Sequence, residues 1–174
     1  MKKIGVFYWP KGGNVEYCAK MMVSKLGNYN TELYSLDSIK NLDLPYYDLV
    51  IVGGSTAGAD IWQNADDNNL WFDFYARLEG AHLNGKPVAF FGLGDQVLYP
   101  DHFVDGMAIM KNEFDRIGAK IIGYWPTNGY DFTGSASLEG DKFIGLALDE
   151  DQQPELTGQR IEKWISQILK EAGF

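Results

Sequence analysis

Short apolar segments alternate with helical segments along this 174-residue chain, and this alternation constrains the fold more than any other feature. Residues 4–8, 49–54 and 87–91 are apolar without polar alternation, which is typical of strands buried on both faces of a parallel sheet. The segments between them carry apolar residues at helical spacing, beginning with Val15, Cys18 and Ala19. The pattern predicts an α/β fold, with helices on both faces of a doubly wound parallel sheet and right-handed crossovers.

A fifth strand is predicted in an interrupted form. Residues 120–123 and 142–148 both resemble strands, and a Gly-, Ser- and Asn-rich stretch separates them. We expect residues 124–139 to form an excursion outside the core that leaves the strand and returns to it. The length fits one domain and no linker-like composition divides the chain, so residues 1–174 are predicted to form a single domain.

Charge and composition exclude several classes of function. Fifteen Lys and Arg against 24 Asp and Glu give a formal net charge of −9, which argues against nucleic acid and favours partners with basic surfaces. A single cysteine and two histidines leave little for a disulfide framework or a metal site, and we expect none. No apolar run approaches the ~18 residues of a membrane span, and the start lacks the apolar stretch of a signal peptide. We therefore expect a cytoplasmic protein.

The ligand site is predicted at the carboxyl ends of the strands, where the loops 9–14, 55–69 and 92–102 meet. The first loop leads into a helix through Gly12, Gly13 and Asn14, with Asn14 as the predicted N-cap. A helix N-terminus binds anions, so this loop suits a phosphate, although a Gly-rich tight turn alone would look the same. Lys11 could pair with that phosphate or remain solvated.

The other two loops supply surfaces for a flat ring. Gly92 and Gly94 would let a ligand approach the backbone, and Tyr99 could stack on a planar ring. The second loop adds Ser55-Thr56-Ala57-Gly58 and then Trp62. One phosphate site beside flat aromatic side chains suits a mononucleotide with an aromatic ring, and FMN fits that description.

Several segments are similar to one known family. They are residues 3–8, Gly92-Leu93-Gly94-Asp95-Gln96 with Tyr99, residues 119–125, Gly129-Tyr130-Asp131-Phe132 and residues 142–151. Together they identify the chain as resembling the long-chain flavodoxins over essentially its whole length. The resemblance implies sheet order 2-1-3-4-5, a fifth strand interrupted by the long-chain insertion, and non-covalent FMN that passes single electrons at low potential.

The resemblance also implies which residues hold FMN. Tyr99 would stack on the outer face of the ring, Leu93, Gly94 and Asp95 would follow its pyrimidine edge, and Asp151 would lie near the ribityl chain. The peptide at Gly58 would flip to bond the reduced ring. The full set of implied cofactor residues is Trp9, Pro10, Lys11, Gly12, Gly13, Asn14, Val15, Ser55, Thr56, Ala57, Gly58, Trp62, Gly92, Leu93, Gly94, Asp95, Tyr99 and Asp151.

Two departures from the family pattern stand out. The family places hydroxyl side chains at three positions of the phosphate loop, where this chain has Pro10, Gly12 and Val15. Backbone N–H groups would then carry the phosphate. The family also usually places a tryptophan at Ala57, so the inner face of the ring would be covered by Ala57, Ile61 or Trp62, or would be left more open.

The implied function is a monomeric electron carrier, with carboxylates near the ring lowering its potential. The candidate carboxylates are Asp60, Asp95, Asp149, Glu150 and Asp151. The implied partners are ferredoxin-NADP reductase-like proteins, photosystem I-like proteins or anaerobic oxidoreductases. Two alternatives remain: a binding module of the same fold that has weakened or lost FMN binding, and an NAD(P)H:quinone reductase of the same fold.

Overall fold

The computed structural model describes residues 2–55 and 70–174, and a parallel sheet forms its centre. Four strands give the order β2-β1-β3-β4, and every pair is parallel. They are β1 (Lys3–Trp9), β2 (Asn30–Ser35), β3 (Leu49–Gly54) and β4 (Pro87–Leu93). The side chains of β3 are buried throughout, as a strand covered on both faces requires.

The fifth position of the sheet is shared by two short strands. β5 (Lys120–Ile122) pairs with the first half of β4, and β9 (Leu146–Leu148) pairs with the second half. The predicted order 2-1-3-4-5 with an interrupted fifth strand is thereby confirmed.

The prediction of one strand over residues 142–148 is wrong. Within it, β8 (Lys142–Phe143) belongs to a separate antiparallel sheet, between β6 (Trp125–Pro126) and β7 (Leu138–Glu139). The chain changes sheets at Gly145, where a Cβ would lie only 2.2 Å from the carbonyl oxygen of Phe90. A continuous apolar run cannot reveal that change of partner.

The excursion was expected outside the core, and that expectation is also wrong. Phe143 is fully buried against the rings of Phe103, Tyr130 and Phe132, at centroid distances of 5.1–5.8 Å. The hydroxyl of Ser137, also buried, donates to the carbonyl of Val104. These contacts give the excursion a small aromatic core that is continuous with the main one.

In residues 2–55 and 70–174, four α-helices cover the two faces of the sheet. They are α1 (Asn14–Leu26), α2 (Leu70–Arg77), α3 (Gly106–Arg116) and α4 (Pro154–Glu171). α1 packs against α4 on one face, while α2 and α3 share the other through Phe74 and Phe114. Within the described ranges, no helix is long and apolar enough to cross a membrane.

Candidate functional site

A cleft of about 960 Å³ lies beyond the carboxyl ends of the central strands. This volume is at the upper end of the range for small-molecule sites. Parts of the loops 9–14 and 92–102 reach it, as predicted, together with Ser55 at the end of β3. The lining residues are Pro10, Asn14, Val15, Ser55, Leu93, Gly94, Asp95, Tyr99, His102, Val104, Asp105, Gly106, Ala108, Ile109, Ala136, Glu150 and Asp151.

The N-terminus of α1 points its first amides toward this end of the molecule. Its N-cap is Gly13 in an extended conformation, with φ −143°, and no side chain caps it. The prediction that Asn14 is the N-cap is therefore wrong: Asn14 is already the first helical residue, and its exposed side chain lines the cleft. Uncapped amides at a 13-residue helix can bind an anion.

The two glycines of the first loop leave room for a ligand. Gly12 has φ +83°, a conformation that favours glycine, and a Cβ on either Gly12 or Gly13 would meet nothing within 4 Å. This open backbone fits the requirement for close approach by a phosphate. Val15, in contrast, is buried at the foot of the loop, although it still reaches the cleft.

Charged side chains around the first loop are already paired. The Lys11 ammonium contacts the Asp37 carboxylate, which raises the pKa of Lys11 and lowers that of Asp37. The Glu16 carboxylate accepts from the Gly12 N–H at 2.6 Å and also pairs with Lys20. Lys20 first, and then the Gly12 N–H, lowers the pKa of Glu16. Lys11 is therefore held away from the role of a free counter-ion for phosphate.

The third loop turns around a carboxylate. Asp95 Oδ1 accepts from the Val97 and Leu98 N–H groups, each at 2.9 Å, and these bonds, Leu98 first, lower the pKa of Asp95. The Tyr99 N–H donates to the Asp95 carbonyl at 2.9 Å, which continues the turn. Tyr99 is 63% exposed at the wall of the cleft, so its ring is free to stack.

The glycines of the third loop serve packing. A Cβ on Gly92 would lie 2.8 Å from Met107, and a Cβ on Gly94 would lie 2.9 Å from Phe103. Both glycines thus let the segment that leads into α3 pack closely on β4. Gly94 lines the cleft and Gly92 does not, and close approach of a ligand at these two glycines stays a prediction.

Most of the predicted site residues are brought together. Trp9 ends β1, and Lys11, Gly12 and Gly13 belong to the turn that follows it. The residues that line the cleft itself are Pro10, Asn14, Val15, Ser55, Leu93, Gly94, Asp95, Tyr99 and Asp151. The predicted residues Thr56, Ala57, Gly58 and Trp62, together with Asp60 and Ile61, lie outside the described residues.

The start of α3 also lines the cleft, which was not predicted from the sequence. The cleft extends along the segment before α3 and along the first turn of the helix, with Ala136 of the excursion beside them; the residues are His102, Val104 and Asp105 before α3, and Gly106, Ala108 and Ile109 within it. No motif marks these residues, because they form a wall only when residues 103–109 pack beside Gly94. Among the residues that the structure describes, no cluster of His, Cys, Asp or Glu could hold a metal ion.

The described cleft fits FMN on three counts. The volume accommodates a mononucleotide, the uncapped amides of α1 suit its phosphate, and the exposed Tyr99 ring suits its flavin. The first-loop backbone and Asn14 would hold the phosphate, while Leu93, Gly94 and Tyr99 would border the ring.

Comparison with known proteins agrees with this geometry. A family model described as "Flavodoxin" matches residues 6–164. The chain is 39% identical over 173 residues to a flavodoxin of Nostoc sp., covering 99% of each protein. It is 40% identical over 168 residues to flavodoxin 1 of Escherichia coli, covering 96% of this chain and 93% of that protein.

Solved structures give the same result. The crystal structure of Fusobacterium nucleatum flavodoxin bound to flavin mononucleotide superposes with a TM-score of 0.85 at 29% sequence identity, covering 98% of this chain and 99% of that one. Its mutant K13G, also bound to flavin mononucleotide, has the same TM-score at 30% identity, covering 98% and 97% of the two chains. The sheet order and the interrupted fifth strand are those expected from the resemblance to flavodoxins, and the match to known flavodoxins covers nearly the whole chain. The chain therefore belongs to the flavodoxin family.

Proposed function

We propose that this protein binds FMN non-covalently and carries electrons one at a time between redox enzymes. The observation that supports this most is the single cleft that joins the uncapped N-terminus of α1 to the exposed ring of Tyr99. Membership of a family of electron carriers, with FMN bound in the Fusobacterium nucleatum relative, favours the same cofactor here. FMN, when bound, supplies the capacity to take up and release single electrons.

The residues of this chain would bind and orient the cofactor. The free amides from Gly13 onward, with the positive end of the α1 dipole, would stabilise the phosphate, whereas the Gly12 N–H is taken by Glu16. Tyr99 would cover one face of the flavin, and Leu93 would border the ring from the end of β4. Asp95 stays ionised because two N–H groups bond its carboxylate, so it places a fixed negative charge beside the cleft. A negative charge there opposes electron uptake and lowers the reduction potential.

The surface beside Tyr99 is suited to a redox partner. Val97, Leu98 and Tyr99 are consecutive and all more than 60% exposed, so they present an apolar patch that includes the ring of Tyr99 at the wall of the cleft. Two acidic residues are also exposed: Asp101, two residues after Tyr99, and Asp151, which lines the same cleft. An apolar centre with acidic neighbours, on a chain of net charge −9, favours a partner whose docking surface is basic.

Ferredoxin-NADP reductase-like proteins, photosystem I-like proteins and anaerobic oxidoreductases are the partner classes that this chemistry suits. The partner surface needs an apolar contact for Leu98 and Lys or Arg around it. We further propose that the protein acts as a monomer in the cytoplasm, so that the mouth of the cleft stays free for alternating partners.

The absorption spectrum of the purified protein tests the cofactor. We expect the two visible bands of bound oxidised flavin, quenched flavin fluorescence, and release of FMN at one equivalent per chain. The variant Tyr99→Ala should bind flavin about tenfold more weakly, since one aromatic stacking contact is lost. Tyr29→Ala, an exposed tyrosine that packs on Phe174, is the matched control and should bind like the wild type.

The same preparation separates the alternatives. A chain that neither carries flavin when purified nor binds added FMN would support the binding module. Rapid reduction of the bound flavin by NAD(P)H alone, followed by oxidation by a quinone, would support the quinone reductase. We expect slow reduction by NAD(P)H alone and rapid reduction once a reductase is added.

A further inference from the structure

We propose that Asp149 is a positioning residue that fixes the two loops flanking the cleft relative to each other. The loops are residues 95–99, which carry Tyr99, and residues 149–153, which carry Asp151. The significance of this role for flavin rests on the proposed function, whereas the positioning of the loops can be tested in the protein without flavin.

The carboxylate of Asp149 is fully buried and bonded on both oxygens. Oδ2 accepts from the backbone N–H of Gln96 at 3.0 Å and from its side-chain Nε2 at 2.8 Å. Oδ1 accepts from the N–H groups of Asp151 at 3.1 Å and Gln152 at 2.9 Å. One side chain therefore bonds two donors in each loop.

A second hydrogen bond joins the same loops, this time with the donor in the 149–153 loop and the acceptor in the 95–99 loop. The side-chain Nε2 of Gln152 donates to Asp95 Oδ1 at 3.1 Å, and Asp95 itself bonds the N–H groups of Val97 and Leu98. The two aspartates, one in each loop, thus form a closed set of hydrogen bonds. Displacement of either loop would break bonds at both carboxylates.

Gln96 extends this set to the excursion. Its Oε1 accepts from the N–H of Asp131, while its Nε2 and its backbone N–H both donate to Asp149. The side chain of Gln96 is buried, so these bonds are shielded from water. The cleft wall, the 149–153 loop and the excursion are therefore joined at one glutamine and one aspartate.

The geometry assigns Asp149 a role different from that of the carboxylates at the mouth of the cleft. A buried carboxylate that loses its donors is strongly disfavoured, so the four N–H groups must stay in place around it. An asparagine offers one oxygen and one NH₂ group, and the NH₂ group would face two N–H donors. Asp149→Asn therefore breaks the set at one loop while it changes the shape of the side chain very little.

Amide hydrogen exchange in the flavin-free protein tests the positioning. We expect Asp149→Asn to speed exchange at the amides of residues 96–98, 151 and 152 by about tenfold, with the strands of the main sheet unaffected. Asp131→Asn is the matched control, because it removes the same charge from an exposed side chain and keeps the N–H that Gln96 needs. It should leave those rates within twofold of the wild type.

Flavin titration tests the consequence for binding. Asp149→Asn should weaken FMN and riboflavin equally, each by about tenfold, because the wall that carries Tyr99 loosens and the phosphate loop does not. Asp131→Asn should weaken neither. Equal behaviour of Asp149→Asn and Asp131→Asn, in exchange and in titration, would overturn the proposal.

A milder variant covers the case in which Asp149→Asn does not fold. Gln152→Ala changes an exposed side chain and removes only the bond to Asp95. It should speed exchange at residues 97 and 98 about threefold, and unchanged rates there would count against the closed set of bonds. Failure of the wild type to bind flavin would refute the proposed function, and the exchange rates would still decide the role of Asp149.

Discussion

The Lys11 ammonium is paired with the carboxylate of Asp37, which follows β2, so the lysine of the first loop does not face the cleft as a free cation. Asp37 is held in turn by the hydroxyl of Ser35. Asp37 places a negative charge close to the loop that would bind phosphate. It also pairs with the Lys11 ammonium, whose positive charge could otherwise offset the charge of the phosphate.

The variant Asp37→Asn should therefore tighten FMN. Release of Lys11 adds a mobile positive charge near the phosphate, and we expect the dissociation constant to fall roughly two- to fivefold at low salt. Riboflavin, which has no phosphate, should bind as before. Asp43→Asn removes the same charge from another exposed loop and serves as the control. Equal tightening of riboflavin would show that the gain does not involve the phosphate.

The two glycines of the first loop should differ in their tolerance of alanine. Gly12 has φ +83°, whereas Gly13 has φ −143°, and a Cβ at either position has open space. Gly12→Ala should lower the free energy of unfolding by about 1 kcal/mol, because a side chain is disfavoured in the left-handed region. Gly13→Ala should cost less than half of that amount. Urea unfolding of the flavin-free proteins measures both, and equal losses would contradict the backbone explanation.

The main features of the fold could be predicted because they depend on local patterns. The buried runs at β1, β3 and β4 and the helical stripe of α1 are visible in the sequence, and the loops that follow them must meet at one edge of a parallel sheet. The resemblance to flavodoxins supplied the order of the strands, whereas the interruption of the fifth strand was predicted from two strand-like segments with a Gly-, Ser- and Asn-rich stretch between them.

The features that the prediction missed depend on contacts between distant segments. The change of sheet at Gly145 follows from the carbonyl of Phe90, and the aromatic core of the excursion follows from Phe103. The pairing of Lys11 with Asp37 joins residues 26 positions apart. No period of 2 or 3.6 residues reports such contacts, so only the packed structure reveals them.

Acid should remove the stabilising effect of Asp95. Its folded-state pKa lies below the usual 3.8, because N–H groups bond the charged carboxylate. The stabilisation is therefore fully present above the unfolded-state pKa and is lost as pH falls through the lower, folded-state value. The free energy of unfolding of wild type should exceed that of Asp95→Asn by about 1 kcal/mol at pH 7, and the difference should shrink below pH ~4. A difference that stays constant down to pH ~3 would show that the charge is not responsible.

Association with a basic reductase should depend strongly on salt. With a net charge of −9, we expect the association rate constant to fall about tenfold between ~0.02 and ~0.2 M ionic strength, as the Debye length shortens. Leu98→Ala should chiefly raise the dissociation rate, since Leu98 is an exposed apolar side chain next to Tyr99, which lines the cleft. Stopped-flow mixing measures both rates. An association rate that does not change with salt would contradict electrostatic steering.

The phosphate should contribute to flavin affinity through the backbone and Asn14. The first loop has no hydroxyl side chain at Pro10, Gly12 or Val15, so the phosphate depends on the amides of α1 and on the exposed amide side chain of Asn14. A few charge-assisted bonds of this kind correspond to ~2–4 kcal/mol, and riboflavin should bind more weakly than FMN by that amount.

Single substitutions distinguish the two sources of that affinity. Asn14→Ala should weaken FMN roughly tenfold and leave riboflavin unchanged, because it removes one bond to a charged group. Asn41→Ala, an exposed asparagine in the loop after β2, is the control and should change neither. Restoring threonines at all three loop positions is not a clean test, since Gly12 has a positive φ and Val15 is buried. Fluorescence-quenching titrations of both flavins give the result, and an Asn14→Ala variant that binds FMN like the wild type would show that the backbone amides alone hold the phosphate.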